Sequence, residues 1–311
     1  VYDSKYGTLP NPSLAGYTFN GWYTSASGGT RVTADTIYKI DGNSTLYAHW
    51  TANKYTVTFN YNKPSNASNH IENNNITSKS VTFDSKYGDL PRPSLKGWQF
   101  VGWFTAPSDG TQVTADSIYK TAGNQTLYAH WKANNYTVSF DYNKPNKASS
   151  EISGNTTTKR IVTYDSKYGP LPSPSITGWS FEGWYTSRDG GTKVTSDSIY
   201  RVLGNQTLYA HWKANTYTVT FDYNKPANAT SVMADNETTT KKVTYDMPYG
   251  SLPNPNMVGW TFDGWYTEKT GGTKITASTM YRTVSTQTLY AHWIANIYTI
   301  TLDSDLCGYK G

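Results

Sequence analysis

A period of 81 residues, kept without a slip, constrains this chain more than any other feature. A Gly-Trp pair falls at Gly21-Trp22, Gly102-Trp103, Gly183-Trp184 and Gly264-Trp265. A His-Trp pair falls at His49-Trp50, His130-Trp131, His211-Trp212 and His292-Trp293. Self-similarity at a fixed spacing means one structural unit used repeatedly, so units of roughly 80 residues replace the single domain that this length would otherwise allow. The period divides the chain into a partial repeat lacking its first strand (1–54) and three complete repeats (55–135, 136–216 and 217–297). Residues 298–311 are the start of a further repeat or a divergent tail.

Within a repeat the pattern reads as strands. Tyr136-Thr137-Val138-Ser139-Phe140 alternates large apolar with small hydroxyl residues at period two, which buries one face and wets the other. A polar run from Asn143 to Lys159 then reads as an exposed loop, and it varies most between copies. Arg160-Ile161-Val162-Thr163-Tyr164 is the second strand, and Pro172 and Pro174 impose extended or turn backbone after it. Trp179 to Thr186 is the third strand, with Gly183 where a bulge would turn aromatics on both sides toward a core. After the Gly190-Gly191 turn, Thr195 to Tyr200 offers a Thr cap for one short helical turn. Gln206 to Trp212 is the last strand, with Leu208, Ala210 and Trp212 on one face and Tyr209 and His211 on the other. The expected fold class is mainly β (α+β) in tandem small modules. Only Lys213-Ala214-Asn215-Thr216 joins one repeat to the next, too short for a flexible tether. Units with a radius of gyration of roughly 12 Å and a length of about 30 Å then predict an extended rod on the order of 100 Å.

Composition agrees with a strand-rich secreted chain. Charged residues make up 16% and hydrophobic residues 36%, with 27 Tyr and 11 Trp, a mix that favours strands over helices. The net charge of +5 is spread as isolated Lys and Arg, which describes a solvated surface and gives no nucleic-acid stripe. One cysteine, Cys307, excludes an internal disulfide framework and a cysteine-based zinc site. No apolar run approaches the ~18 residues of a membrane-spanning helix, so membrane insertion is not expected. The chain begins at Val1 without a signal-peptide pattern, as a mature region or an excised segment would.

The Gly-Tyr-Thr-Phe-x-Gly-Trp-Tyr run from Gly16 to Tyr23, the Gly28-Gly29-Thr30 that follows, and Thr-Leu-Tyr-Ala-His-Trp from Thr45 to Trp50 resemble the Listeria-Bacteroides repeat, or internalin B-repeat. The likeness covers nearly the whole chain. It implies a β-grasp-like (ubiquitin-like) fold used in tandem on secreted or wall-attached bacterial surface proteins, as stalk, spacer or adhesion module. It implies no catalytic residues. The loop between the first two strands, such as Asn62 to Lys79, is longer here than the family pattern.

Candidate chemistry is sparse. The four strand histidines have no cysteine or second histidine beside them, so neither a metal site nor a cofactor is expected. No Ser, Thr or Cys sits in a nucleophile motif, and acids such as Asp141 and Glu182 lack a partner, so an enzyme is not expected. Large aromatics supply the core of so small a unit, and Trp22, Trp50, Trp103, Trp131, Trp184, Trp212, Trp265 and Trp293 are assigned to it. Tyr185 and Tyr209, with Lys159, Arg160, Lys241 and Lys242, are the candidates for contact with a ligand, in a direct glycan-binding alternative to the stalk. Expected partners are the neighbouring repeats and a host or environmental glycan or surface protein. The strand-like Tyr298 to Leu302 could also complete the partial repeat of a second chain, giving a homopolymer by strand exchange.

Overall fold

The computed structural model describes residues 1–154, 157–235 and 237–302. Cys307 and most of the 298–311 tail lie outside the described residues. Every named element among those described is a strand.

The fourth repeat shows the plan. Its first strand, Thr216–Asp222, pairs antiparallel with the second, Thr240–Thr244, and parallel with the last, Gln287–Ala295. The last strand pairs antiparallel with the third, Trp260–Tyr266. The sheet therefore runs second, first, last, third, and the first and last strands lie side by side at its centre. The second repeat has the same order, with first strand Lys54–Asn60, second Ser78–Thr82, third Trp98–Phe104 and last Gln125–Ala133. The first repeat forms a three-stranded sheet of Tyr17–Tyr23, Arg31–Val32 and Tyr47–Ala52.

The alternation read from the sequence becomes the core. Val219 and Phe221 from the first strand meet Leu289 and Ala291 from the last, with Trp265 and Tyr281 closing the other side. Trp265 is 1% exposed, and its indole N–H donates to the carbonyl of Pro253 at 2.7 Å. Trp103 and Trp184 do the same to Pro91 and Pro172 at 2.8 Å, and Trp22 to Pro10 at 2.7 Å. The prolines thus have a structural use: they hold an extended crossing segment whose carbonyl satisfies the buried indole. Trp131, Trp212 and Trp293 are half-buried and donate to Tyr61, Tyr142 and Tyr223 at 2.9 Å. Trp22 and Trp50 are half-buried as well. Burial pushes the Tyr281 phenol up to about 12, with Tyr249 and Tyr217 adding to the shift.

The third strand slips register between Phe181 and Gly183, and Gly183 has φ 129°, so the bulge expected there is present. Instead of a helical turn, Thr195 to Ser198 is a single tight turn. The Ser198 N–H reaches the Thr195 carbonyl at 3.2 Å, and Ser198 Oγ accepts the Thr195 N–H at 3.0 Å. The hydroxyl caps the turn from the far side, and the chain leaves it extended, with Ile199 bridging to Lys167.

By packing, the chain divides into two compact units. One comprises Val1–Thr137, Ile161–Tyr168 and Ile199–Asn205. The other comprises Val138–Arg160, Gly169–Ser198 and Gln206–Gly311. The first unit thus contains two repeats together with the part of the third that carries Tyr164, Asp165 and Arg201.

Replacing Trp265 by Ala removes a fully buried indole and strands the Pro253 carbonyl, which should cost about 3–5 kcal/mol in urea unfolding of the fourth repeat. Val258→Ala, at a 76%-exposed position nearby, should change stability by no more than ~0.5 kcal/mol.

Candidate functional site at the repeat joints

The chain passes from the last strand of one repeat to the first strand of the next through one pinned residue. At Asn215 the N–H donates to the Gly178 carbonyl, and its carbonyl accepts the Tyr245 N–H, both at 2.9 Å. Asn134 is held the same way by Gly97 and Tyr164, and Asn53 by Gly16 and Phe83. The side chains add to this: Ser180 Oγ donates to Asn215 Oδ1 at 2.6 Å, and Thr18 Oγ1 to Asn53 Oδ1 at 2.5 Å. The connecting residue is thus held by backbone hydrogen bonds on both sides.

Glycine makes the close approach possible. Gly97 has φ 80°, and a Cβ built on it would sit 2.2 Å from the Tyr164 ring. Gly178 stands in the same relation to Tyr245. The aromatic of the following repeat therefore packs directly on the backbone of the preceding one, which any side chain would prevent.

Beside each ring lies an aspartate in the left-handed backbone region, Asp165 at φ 55° and Asp246 at φ 56°. Both carboxylates are fully buried. Asp165 accepts the Ser68 N–H at 3.0 Å, the Ser68 hydroxyl at 2.7 Å and the Trp98 indole N–H at 3.2 Å, all from the preceding repeat. Arg201 of its own repeat donates at 3.2 Å. Asp246 repeats the arrangement with Ser149 N at 2.9 Å, Trp179 at 3.1 Å and Arg282 at 3.4 Å. Burial would by itself raise these carboxyl pKa values, but the serine, tryptophan and arginine hydrogen bonds outweigh it and hold both below the ordinary carboxylate value. At the first joint Asp84 takes this place, with the Tyr17 hydroxyl donating at 2.6 Å and Lys120 forming an ion pair.

Ser68 and Ser149 lie in the long polar loops after the first strands, which the sequence presented as exposed. The loops are largely exposed, yet they also reach into the joints, and just before each serine a turn is closed by the Ala67 N–H on the Pro64 carbonyl at 3.0 Å and by the Ala148 N–H on the Pro145 carbonyl at 2.9 Å. The aspartates themselves carried no expectation of a role. The available signal was that Asp84, Asp165 and Asp246 share the 81-residue register with Tyr17, Trp98 and Trp179 and with Lys120, Arg201 and Arg282.

The residues proposed for ligand contact do not converge. Tyr185 is covered on one face by His211, stacked at 3.9 Å. Tyr209 lies under Arg188, 5.5 Å from its guanidinium carbon. Arg160 donates to the Pro170 carbonyl and Lys241 to the Ser251 carbonyl, so both are used in loop folding. Lys242 bonds Thr218 Oγ1 at 2.8 Å, and Lys159 is exposed. Among the described residues no three His, Cys, Asp or Glu side chains gather into a metal-holding group.

The Listeria-Bacteroides repeat domain matches the chain four times, over residues 1–49, 55–130, 136–211 and 217–292. A Gly-rich protein of Evansella cellulosilytica, provisionally named as a membrane protein, is 30% identical over 97% of this chain and 32% of its own length. A second protein of that organism, provisionally named likewise, is 30% identical over 92% of this chain and 40% of its own length. Internalin H of Listeria monocytogenes is 37% identical over 40% of this chain and 21% of its own length. The chain spans well under half the length of these relatives.

Because the folded-state pKa values of Asp165 and Asp246 are depressed, their contribution is present above the ordinary carboxylate value and is lost as pH falls through the folded one. Asp165→Asn with Asp246→Asn should therefore lose about 1.5–3 kcal/mol per joint near neutral pH. The variant's stability should also fall less steeply than the parent's below about pH 4. Thermal unfolding across that range checks both, and parallel acid profiles would show that the joints do not depend on the carboxylates.

Proposed function

Since the chain belongs to the Listeria-Bacteroides repeat family, we propose that it is a non-catalytic, tension-bearing spacer of an extracellular protein on a bacterial surface. The observation that carries this reading is the parallel pairing of the strands by which the chain enters and leaves each repeat. In the fourth repeat Val219 faces Gln287 and Asp222 faces Tyr290; in the second, Val57 faces Gln125 and Asn60 faces Tyr128. Tension applied through the two ends of a repeat pulls such strands past each other in opposite directions. Their evenly spaced hydrogen bonds then lie across the pull and share it, whereas an antiparallel hairpin would unzip one bond at a time.

Each repeat is read as a β-grasp-like module, and the sheet order of second, first, last and third strand supports that. The pinned asparagines at the joints support a stiff, rod-like series of repeats, because a spacer that swivels does not hold a distal region at a distance. Repeats 55–135, 136–216 and 217–297 are the units that would resist force. The aromatic and polar side chains serve packing and joints, which favours the spacer over direct adhesion through the tyrosines and lysines first nominated.

Single-molecule stretching tests this. Force should rise and drop in discrete steps, each releasing at most roughly 27–29 nm, as an 81-residue repeat at about 3.3–3.6 Å per residue would. Smooth extension without steps would end the tension-bearing reading.

A further inference from the structure

One groove recurs in all three complete repeats. It lies between the loop that leaves the first strand, the Gly-rich turn and the His-Trp pair of the last strand. In the third repeat it has a volume of about 560 Å³, lined by Asn143, Lys144, Pro145, Asp189, His211 and Trp212 among others. Its counterparts are lined by Asn62, Lys63, Pro64, His130 and Trp131, at about 510 Å³, and by Asn224, Lys225, Pro226, His292 and Trp293, at about 520 Å³. These volumes fall within the ~300–1,000 Å³ of small-ligand sites.

The groove is built before anything enters it. Asn143 sits at φ 45°, and its side-chain amide donates to the carbonyls of Ala210 at 3.1 Å and Arg188 at 3.3 Å. Asn62 and Asn224 make the same pair of bonds, to Ala129 and Pro107 and to Ala291 and Lys269, at 2.9–3.0 Å. One amide thus clamps the Lys-Pro segment to both the last strand and the turn. Trp212 packs on Phe181 at 5.3 Å and is fixed by its bond to Tyr142, while still lining the groove. His211 Nε2 lies 3.0 Å from the Ser187 carbonyl. A carbonyl can only accept, so Nε2 carries the proton and the neutral ring keeps Nδ1 as an acceptor. His130 and His292 are held alike, by Ala106 at 2.9 Å and Glu268 at 3.0 Å. Among the described residues Lys63 and Lys225 have no bonding partner, whereas Lys144 pairs with Glu151 at 2.6 Å.

We propose that these three grooves are subsites for a neutral polysaccharide, one sugar-binding position per repeat. An indole and a proline ring offer a flat apolar surface to the C–H face of a pyranose, and the Lys ammonium and His acceptor at the rim suit its hydroxyls, which both donate and accept. A polyanion fits less well in two of the three: Glu182 and Asp189 line the third-repeat groove, where Arg188 is engaged by Asp141 at 2.5 Å, and Asp109 lines the second-repeat groove. The fourth-repeat groove has Lys225 and Lys269 and no acid in its lining, with Lys269 paired to Asp222 at 3.6 Å. Each site is open to solvent and small, so single-site binding is weak. Three sites on one chain gain by avidity on a ligand that itself repeats. This goes beyond the spacer reading and does not depend on it.

The test uses the intact chain with cellohexaose, chitohexaose, mannohexaose and heparin as probes, followed by the indole N–H signals of the tryptophans in NMR titrations at low and high salt. One neutral hexasaccharide should saturate, shift the indoles of Trp131, Trp212 and Trp293 with little effect of salt, and leave buried Trp103, Trp184 and Trp265 unmoved. The triple variant Lys63→Ala, Lys144→Ala, Lys225→Ala should weaken that binding about tenfold, as loss of a charged hydrogen bond does, with an unchanged melting temperature. Three results would each overturn the proposal: no saturable shift with any neutral hexasaccharide, binding of heparin alone that salt abolishes, or shifts confined to other tryptophans.

Discussion

A buried indole N–H has to find an acceptor, and in each complete repeat that demand organises the rest. Trp184 is among the largest fully buried side chains, and a carbonyl brought in from outside the named strands, that of Pro172, accepts from its nitrogen. The Pro-rich segment after the second strand supplies it, extended because proline cannot be helical there. Once Pro172 is held over Trp184, the third strand has its inner face fixed and the bulge at Gly183 sets where the next aromatic points. The parallel pair at the sheet centre can then close over Val138, Phe140 and Leu208. The same bond at Trp22, Trp103 and Trp265 explains why the Gly-Trp pair and the prolines keep one spacing.

The joints follow a different economy. A core gains from apolar area, while each joint is built around a buried carboxylate, which is costly to desolvate unless fully bonded. Asp165 and Asp246 meet that condition only when two repeats are in place, since the serine and the indole belong to one repeat and the aspartate and arginine to the next. Direction comes with this chemistry. Hydrogen bonds to a fixed carboxylate specify one orientation, whereas an apolar contact between Tyr164 and Gly97 alone would tolerate rotation. The left-handed backbone at each aspartate, which costs a non-glycine residue some strain, is what aims the carboxylate back at the preceding repeat.

The fold was largely legible in the sequence because period-two alternation and an unbroken repeat are local signals. Val138 and Phe140, Leu208 and Ala210, and the Gly183 bulge all follow from patterns a few residues long. The stretch from Thr195 forms a tight turn and not the expected helical one because a hydroxyl-rich cap sequence serves both equally well. The joints were not legible. Ser68 and Asp165 are 97 residues apart, and nothing local distinguishes this aspartate from a surface one. The surroundings of the ligand candidates were no more legible: Tyr185 looks available in sequence, and only the three-dimensional register lays His211 across one of its faces.

Trp179 joins the two systems. Its indole holds Asp246 at the joint between the third and fourth repeats, and the same ring lines the groove of the third repeat. Trp98, its counterpart, holds Asp165 but does not line the groove of the second repeat, where the Gly-rich turn presents Pro107 and Ser108 in place of Arg188 and Asp189. A ligand seated in the third-repeat groove and touching this ring therefore meets a side chain whose position depends on whether the joint is closed. Linkage is reciprocal, so whatever free energy the closed joint lends to such a contact, the contact returns to the joint.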